Sequence, residues 1–245
     1  GRLTGEPGIC LTTAGPGATN CVTALAQAYS AASPMIHLSA TVPIKSPWES
    51  SHGVDDENFL SNVFRSVTKW SSRAERVNDI QLKIVEAYKA TITGRTGPAH
   101  ISIPTNILSA KIEHPLPPIV EPQRLKAAGE ISNELIRRLM TAKRLVVYAG
   151  KNVSRYHCKD ELLELCELLN APIVVHRYAS NSVPNDFKLY ATYVDVDRAH
   201  PAGRYTIDSA DLILSIGVRL GSTEAEPLKK HRQNGSILLD VEEDV

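Results

Sequence analysis

The chain has 245 residues, enough for one large or two ordinary domains, and its 42% hydrophobic and 22% charged content is that of a globular protein. Lysine plus arginine equals aspartate plus glutamate at 27 each, which leaves no electrostatic footprint for nucleic acid or an anionic membrane. Aromatics at 5% argue against a base-stacking surface, and no apolar run approaches membrane-spanning length.

The first readable unit is Gly8-Ile9-Cys10-Leu11-Thr12, rich in strand formers, followed by Thr13-Ala14-Gly15-Pro16-Gly17-Ala18-Thr19-Asn20. A helical pattern comes next, with Val22, Leu25, Ala26 and Tyr29 on one face. The order is strand, glycine turn, helix. Gly15 and Gly17 permit a tight turn and close approach, Pro16 stiffens it, and Thr19 and Asn20 place short polar groups at the helix entrance. Such a turn can hold a polar ligand at the end of a parallel sheet, or be a capped connection without one; the residues alone favour the second. It is neither G-x-G-x-x-G, since Asn20 replaces the third glycine, nor a P-loop, since no Gly-Lys-Ser/Thr follows.

Residues 35–40 predict a short strand between Pro34 and Pro43, and residues 43–62 a polar connection carrying Trp48, His52, Asp55, Asp56 and Glu57. Residues 63–69 read as a further strand. Residues 77–93 form an amphipathic helix with Ile80, Ile84, Ala87 and Tyr88 on one face, stopped by Gly94, and residues 99–103 a buried strand ending at Pro104. Pro115, Pro117, Pro118 and Pro122 make residues 111–127 an extended linker. Beyond it come helices at 131–140 and 159–169 and strands at 144–149, 172–175, 210–217 and 236–240. Alternating strands and helices predict an α/β fold of two parallel-sheet domains, 1–110 and 128–245.

Cys10, Cys21, Cys158 and Cys166 show no C-x-x-C and no metal-ligand spacing, so they read as buried or half-buried free thiols of a reducing, cytoplasmic compartment. His37 lies in a strand and reads as a core or sheet-end residue. His52, in the polar loop, is a candidate for proton transfer.

Several phrases stand out together: Thr4-Gly5-Glu6-Pro7-Gly8-Ile9-Cys10-Leu11, Gly15-Pro16-Gly17-Ala18-Thr19-Asn20, Ala28-Tyr29, Ser33-Pro34-Met35-Ile36, Gly94-Arg95-Thr96-Gly97-Pro98 and Ile103-Pro104-Thr105-Asn106. In the second half they are Val147-Tyr148-Ala149-Gly150, Leu169-Asn170-Ala171-Pro172-Ile173-Val174 and Ala210-Asp211-Leu212-Ile213-Leu214-Ser215-Ile216-Gly217-Val218-Arg219. This set resembles the thiamine diphosphate-dependent 2-oxoacid enzymes, nearest the large catalytic subunit of acetolactate synthase. The resemblance implies a truncated pyrimidine-binding domain followed by a Rossmann-like central domain, out of the three domains of full-length members. It implies thiamine diphosphate and Mg²⁺ in the complete enzyme, a 2-oxoacid substrate, and a homo-oligomer in which the cofactor lies between subunits.

Site residues carried by the resemblance are Gly15, Pro16, Gly17 and Asn20 at the cofactor's pyrimidine ring, with Thr41 beside them. The family reads Gly-Gln-Val-Pro where this chain has Ala40-Thr41-Val42-Pro43, so Thr41 cannot make the glutamine's amide contact. Asp55 and Asp56 replace a Phe-Gln pair and read as loop charge. In the central domain, Gly150, Lys151, Gly217, Arg219 and Asp240 are candidates for an FAD or ADP moiety. Leu220-Gly221-Ser222-Thr223 stand where FAD-containing members read Phe-Asp-Asp-Arg, which argues against FAD. No catalytic residue is assigned within the chain. The family's ring-activating glutamate would lie upstream of Gly1, Glu6 does not take its role, and the Gly-Asp-Gly…Asn motif for Mg²⁺ and diphosphate is not among these residues. Residues 1–245 alone are therefore expected to be inactive. The alternatives are a relative of 2-hydroxyacyl-CoA lyase or oxalyl-CoA decarboxylase, whose central domain binds ADP, and a non-catalytic module for nucleotide binding or assembly.

Overall fold

The computed structural model of the chain describes residues 1–44, 52, 54, 56–111, 131–195, 199–218, 225–231 and 236–239. They belong to two compact units, Gly1–Leu125 and Lys126–Val245. All of the expected linker except Lys111 lies outside the described residues, as do Asp55, Arg219 and Asp240.

The first unit is a four-stranded parallel sheet of order β1-β2-β4-β3, from β1 (Gly8–Thr12), β2 (Met35–Thr41), β3 (Trp70–Arg73) and β4 (Pro98–Pro104). Strand alternation divides its side chains. Ile36, Ala99, Ile101 and Ile103 face α4 (Val77–Ile92), with Ala87, Ile80 and Tyr88 packed against them. The helix starts where the Asp79 carboxylate accepts the Arg76 backbone N–H at 3.1 Å. The opposite face lies under α1 (Pro16–Thr19), α2 (Val22–Ser30) and α3 (Phe59–Arg65), whose Ala18, Leu25, Leu60 and Phe64 form a separate buried cluster. A short α5 (Thr105–Leu108) follows β4.

The expected strand at 63–69 is corrected here: residues 59–65 are helical and the strand begins at Trp70. Val63, Arg65 and Val67 mimic strand alternation, but Leu60, Ser61 and Phe64 share a helical face and are buried. Asp56, expected as loop charge, organises this helix entrance by accepting from Asn58 N (2.8 Å) and Asn62 Nδ2 (3.2 Å).

The second unit is a five-stranded parallel sheet of order β7-β6-β5-β8-β9: β5 (Leu145–Ala149), β6 (Ile173–His176), β7 (Tyr190–Val194), β8 (Leu212–Ile216) and β9 (Ser236–Leu239). Both faces are apolar. Val147, Ala149, Ile173, Val175 and Leu214 pack with Leu162 and Cys166 of α8 (Lys159–Leu168). Val146, Tyr148, Val174 and Ile213 pack with Ile207 of α9 (Pro201–Ser209). Burying each such aliphatic side chain stabilises by about 1.5–3 kcal/mol. α6 (Asn133–Thr141) is capped by Ser132, whose hydroxyl accepts from Leu135 N at 3.1 Å, and α7 (Asn152–Arg155) follows β5. Cys158, expected as a buried or half-buried thiol, precedes α8 and is exposed. Among the described residues no helix is long and apolar enough to cross a membrane.

Candidate functional site

In a parallel sheet the carboxyl ends of all strands share one edge, and loops there are the usual place for a ligand. The glycine turn leaves β1 at that edge. Gly15 has φ +57 and ψ −119, and a Cβ on it would lie 2.3 Å from the His52 carbonyl oxygen. Only glycine fits, on both counts. Gly17 is tight against Thr13 Cγ2, at 2.4 Å from a Cβ. Pro16 opens α1, which runs into α2 through Asn20 and Cys21: Thr19 N donates to Gly15 O (2.9 Å), Asn20 N to Pro16 O (3.0 Å) and Cys21 N to Ala18 O (2.9 Å). The Thr19 hydroxyl turns back and donates to Pro16 O at 3.3 Å. Pro16 and the Asn20 side chain are exposed.

Thr12 is the register partner of Ser39, so Thr41 stands two residues further along the neighbouring strand, level with the start of the turn. Its side chain is buried, beside Pro104 of β4. Asn106 Oδ1 accepts from Ile44 N at 3.1 Å and fixes the chain leaving β2. The fold thus brings Gly15, Pro16, Gly17, Asn20 and Thr41 to one edge. None of the five ionises, so this edge offers a shaped surface and an amide, not a general acid or base.

Behind the turn, the sheet face under α2 and α3 is polar, which sequence reading missed apart from His37. His37 and His100 are register partners on β2 and β4, both fully buried, with ring centroids 5.1 Å apart and Phe64 packed on both. His100 Nε2 meets Ser39 Oγ (2.8 Å), its Nδ1 meets Ser71 Oγ (2.9 Å), and His37 Nε2 meets Thr12 Oγ1 (2.9 Å). Burial pushes the His37 imidazole down to about 4. Burial, with His37 beside it, takes His100 down to about 2, so both rings are neutral near pH 7.

Cys10 is the register partner of His37 on the other side. Cys10, Cys21 and His37 each offer a ligand atom, and the three atoms lie within 4.8 Å of one another, although the linear spacing of the cysteines suggested no such group. Burial raises the Cys21 thiol, and the Cys10 thiol, hydrogen-bonded to it, raises it further. This is the one group of three His, Cys, Asp or Glu side chains with metal-binding spacing among the described residues, and its soft donors do not suit Mg²⁺.

In the second unit, strand order reverses between β5 and β8, whose exits carry Gly150 and Gly217. A Cβ on Gly150 would lie 2.0 Å from Gly217 O. One on Gly217, at φ +64, would lie 2.9 Å from Val153 N. Gly150 N donates to Ile216 O (2.9 Å) and Asn152 N to Gly217 O (3.2 Å). The two turns fill each other's notches, so these glycines serve turn-to-turn packing. Lys151 stands half-buried on the rim at the start of α7. A cavity of about 430 Å³ opens elsewhere, between α3, β3 and α4, and its lining includes none of the expected site residues.

Comparison with known proteins covers nearly the same ground. Residues 1–58 match the family described as thiamine pyrophosphate enzyme, N-terminal TPP binding domain, and residues 132–244 match thiamine pyrophosphate enzyme, central domain. The chain is 28% identical to the probable acetolactate synthase large subunit of Methanococcus aeolicus, over 98% of this chain and 41% of that protein. It is 30% identical to the acetolactate synthase isozyme 3 large subunit of Escherichia coli K12, over 98% of this chain and 42% of that protein. It is also 30% identical to the chloroplastic acetolactate synthase 2 of Nicotiana tabacum, over 98% and 36%. The chain spans about two-fifths of the length of the curated relatives it matches.

Proposed function

Because the chain belongs to the thiamine pyrophosphate enzyme family, with the family's N-terminal and central domains in an acetolactate synthase-like sequence, we propose that its glycine turn is the wall against which thiamine diphosphate is held in a 2-oxoacid decarboxylase or carboligase. The observation that carries this is the pairing of an obligatory glycine geometry at Gly15 with outward-facing Pro16 and Asn20 at the carboxyl edge of a parallel sheet. A pyrimidine has a flat apolar face and a rim of nitrogen donors and acceptors. The Pro16 ring suits the face, and the Asn20 amide suits the rim.

When bound, the cofactor supplies the electron sink for loss of CO₂ from a 2-oxoacid; the protein supplies position. Gly15 lets the His52 carbonyl come close to the turn, where any side chain would collide with it. Thr41, buried and short, stands level with the start of the turn and leaves more space than the family's glutamine would. Among the described residues, no cluster of oxygen ligands suits Mg²⁺ and a diphosphate, and the turn offers contacts to the ring alone. Residues 1–245 by themselves are accordingly expected to release no CO₂ from pyruvate and to show no saturable cofactor isotherm at micromolar concentration.

In the complete enzyme, Asn20→Ala is expected to weaken thiamine diphosphate binding about fivefold, the worth of one hydrogen bond of about 1 kcal/mol, with the thermal midpoint unchanged. Unchanged affinity would return the turn to a structural role. The complete enzyme is proposed to be a homo-oligomer of a reducing, cytoplasmic compartment. Exposed Ile9 and Leu11 on β1 and four free cysteines support this.

One observation favours a second role. The reversal of strand order between β5 and β8 makes a crevice of the kind that binds nucleotides. An FAD or ADP moiety there would meet the rim at Lys151, since the notches at Gly150 and Gly217 are filled. Calorimetry with each nucleotide tests it, and Lys151→Ala should weaken any isotherm.

A further inference from the structure

We propose that Cys10, Cys21 and His37 form a binding site for a soft d¹⁰ cation, Zn²⁺ in the first instance, beneath the glycine turn. Two thiols and an imidazole are the donor set that such a cation prefers. Their positions come from rigid elements. Cys10 and His37 are register partners on adjacent parallel strands and point to the same face. Cys21 is fixed at the start of α2, where its N–H is held by Ala18 O at 2.9 Å and its carbonyl accepts from Leu25 N at 2.9 Å.

The independent sign of a ligand is His37. The residue is fully buried and its Nδ1 has no hydrogen-bond partner, a costly condition for a polar atom. Its Nε2 is engaged by Thr12 Oγ1 at 2.9 Å. With the proton on Nε2 and Thr12 accepting it, Nδ1 carries the bare lone pair that a metal needs. Thr12 then stands as the outer partner that orients a ligating imidazole.

One ligand atom from each of Cys10, Cys21 and the His37 ring lies within 4.8 Å of the other two. Zn–S and Zn–N bonds of about 2.3 and 2.0 Å set tetrahedral donor spacings of about 3.5–3.8 Å, so closure needs a contraction of at most about 1.3 Å. Rotation of two half-buried cysteine side chains supplies it. The half-burial also leaves the fourth position to a water molecule. Binding converts both thiols to thiolates and releases two protons to solvent, with no change of oxidation state. Because Cys21 follows Asn20 directly, the metal would tie the foot of the turn to β1 and β2.

The test uses the full 245-residue chain, stripped by a chelator, kept reduced with a non-thiol reductant and titrated with Co²⁺. One equivalent should give thiolate-to-cobalt charge-transfer bands with tetrahedral visible bands, and Zn²⁺ should displace it. Cys10→Ser and Cys21→Ser should each lose the charge-transfer intensity of one thiolate and weaken Zn²⁺ binding by more than about 100-fold, beyond the loss of an outer-shell partner. Cys158→Ser, an exposed cysteine of the other unit, should bind as the parent does. Cys21 is half-buried at a helix start, so Cys21→Ser keeps the fold where His37→Gln would risk it; circular dichroism confirms folding of each variant. Absence of thiolate bands at one equivalent, their survival in the Cys10→Ser/Cys21→Ser double variant, or their loss in Cys158→Ser would each overturn the proposal.

Discussion

The two sheets bury most of their central strands and fill them with different chemistry. β5 and β8 of the second unit present Val147, Leu214, Val146 and Ile213 to helices on both sides. β2 and β4 of the first unit present isoleucines to α4 but His37, Ser39, His100 and Ser102 to the opposite helices. The carboxyl edges differ in the same sense. In the second unit, Gly150 and Gly217 seal against each other. In the first, the glycine turn is covered from one side by His52 and leaves Pro16 and Asn20 facing out. An apolar sheet with a sealed edge suits a scaffold. A sheet that keeps a polar layer directly behind an open turn gives up hydrophobic burial next to where it meets a ligand.

Substitution at matched depth is the strongest way to break that contrast. Leu214→Ala, at a side chain 1% exposed, should cost about 2–5 kcal/mol in the second unit through lost transfer energy and a cavity. Ser102→Ala, also 1% exposed, removes a buried hydroxyl without a partner and should be neutral or slightly stabilising. Urea unfolding read by amide exchange at β4 and β8 separates the two. Equal losses would mean that the polar layer is as tightly packed as the apolar one.

Acid should separate the units next. His37 and His100 have folded values of about 4 and about 2 against 6.5 in the unfolded chain, so the unfolded state binds more protons below pH 6.5. Their contribution is complete above pH 6.5 and is lost as pH falls towards the folded values. Between pH 6 and 4 the first unit should therefore lose stability with each step down in pH, as the unfolded chain takes up protons that the folded rings do not. In the second unit burial also lowers one histidine, His176, with Asp195 opposing the shift and Arg177 and Lys151 adding to it, so fewer groups contribute there. Both tryptophans, Trp48 and Trp70, belong to the first unit, so their fluorescence reads it alone. Parallel acid profiles for tryptophan fluorescence and β5 amide exchange would contradict the difference.

A smaller effect sharpens the point inside the polar layer. His100→Leu keeps the volume but strips Ser39 of its imidazole partner, whereas Ser71 still donates to Ser61 O at 2.9 Å. The cost should be about 1–3 kcal/mol, and adding Ser39→Ala should recover part of it. Additive losses in the double variant would show that the two do not share one interaction.

Much of this was legible in the chain, for reasons visible at particular residues. Pro34 and Pro43 bracket β2, Gly94 and Pro104 bracket β4, and apolar runs mark β5 and β8, so both parallel sheets could be expected. The glycine turn was legible because Gly-Pro-Gly leaves the backbone few other choices. α3 was misread because Val63 and Val67 alternate with polar residues. β7 was not read at all: Thr192 has φ +75 and the pairing to β6 shifts register between Ile173 and Val175. α9 was hidden by Gly203, which is there because a Cβ would lie 2.6 Å from Tyr193 O. The pairing of His37 with Cys10 on one side and His100 on the other depends on register between strands far apart in sequence, which local pattern does not carry.

Thr12→Val is the mildest test of the contrast and isolates the edge of the polar layer. The change is nearly isosteric and removes only the hydroxyl that meets His37 Nε2 at 2.9 Å. Thr12 is half-buried on an edge strand, so the hydroxyl it loses is itself only partly withdrawn from water. The expected cost at pH 7 is therefore about 0.5–1.5 kcal/mol, below that of His100→Leu, whose partners are buried more deeply. The ring stays buried and loses the oxygen that accepts its Nε2 proton, so charging it becomes no easier and the folded value of His37 stays depressed. The first unit's loss of stability between pH 6 and 4 should therefore persist or steepen, while that of the second stays as it was. A shallower slope would show that water reaches His37 Nε2, and a cost matching Leu214→Ala would show that Thr12 is buried as deeply as the central strands.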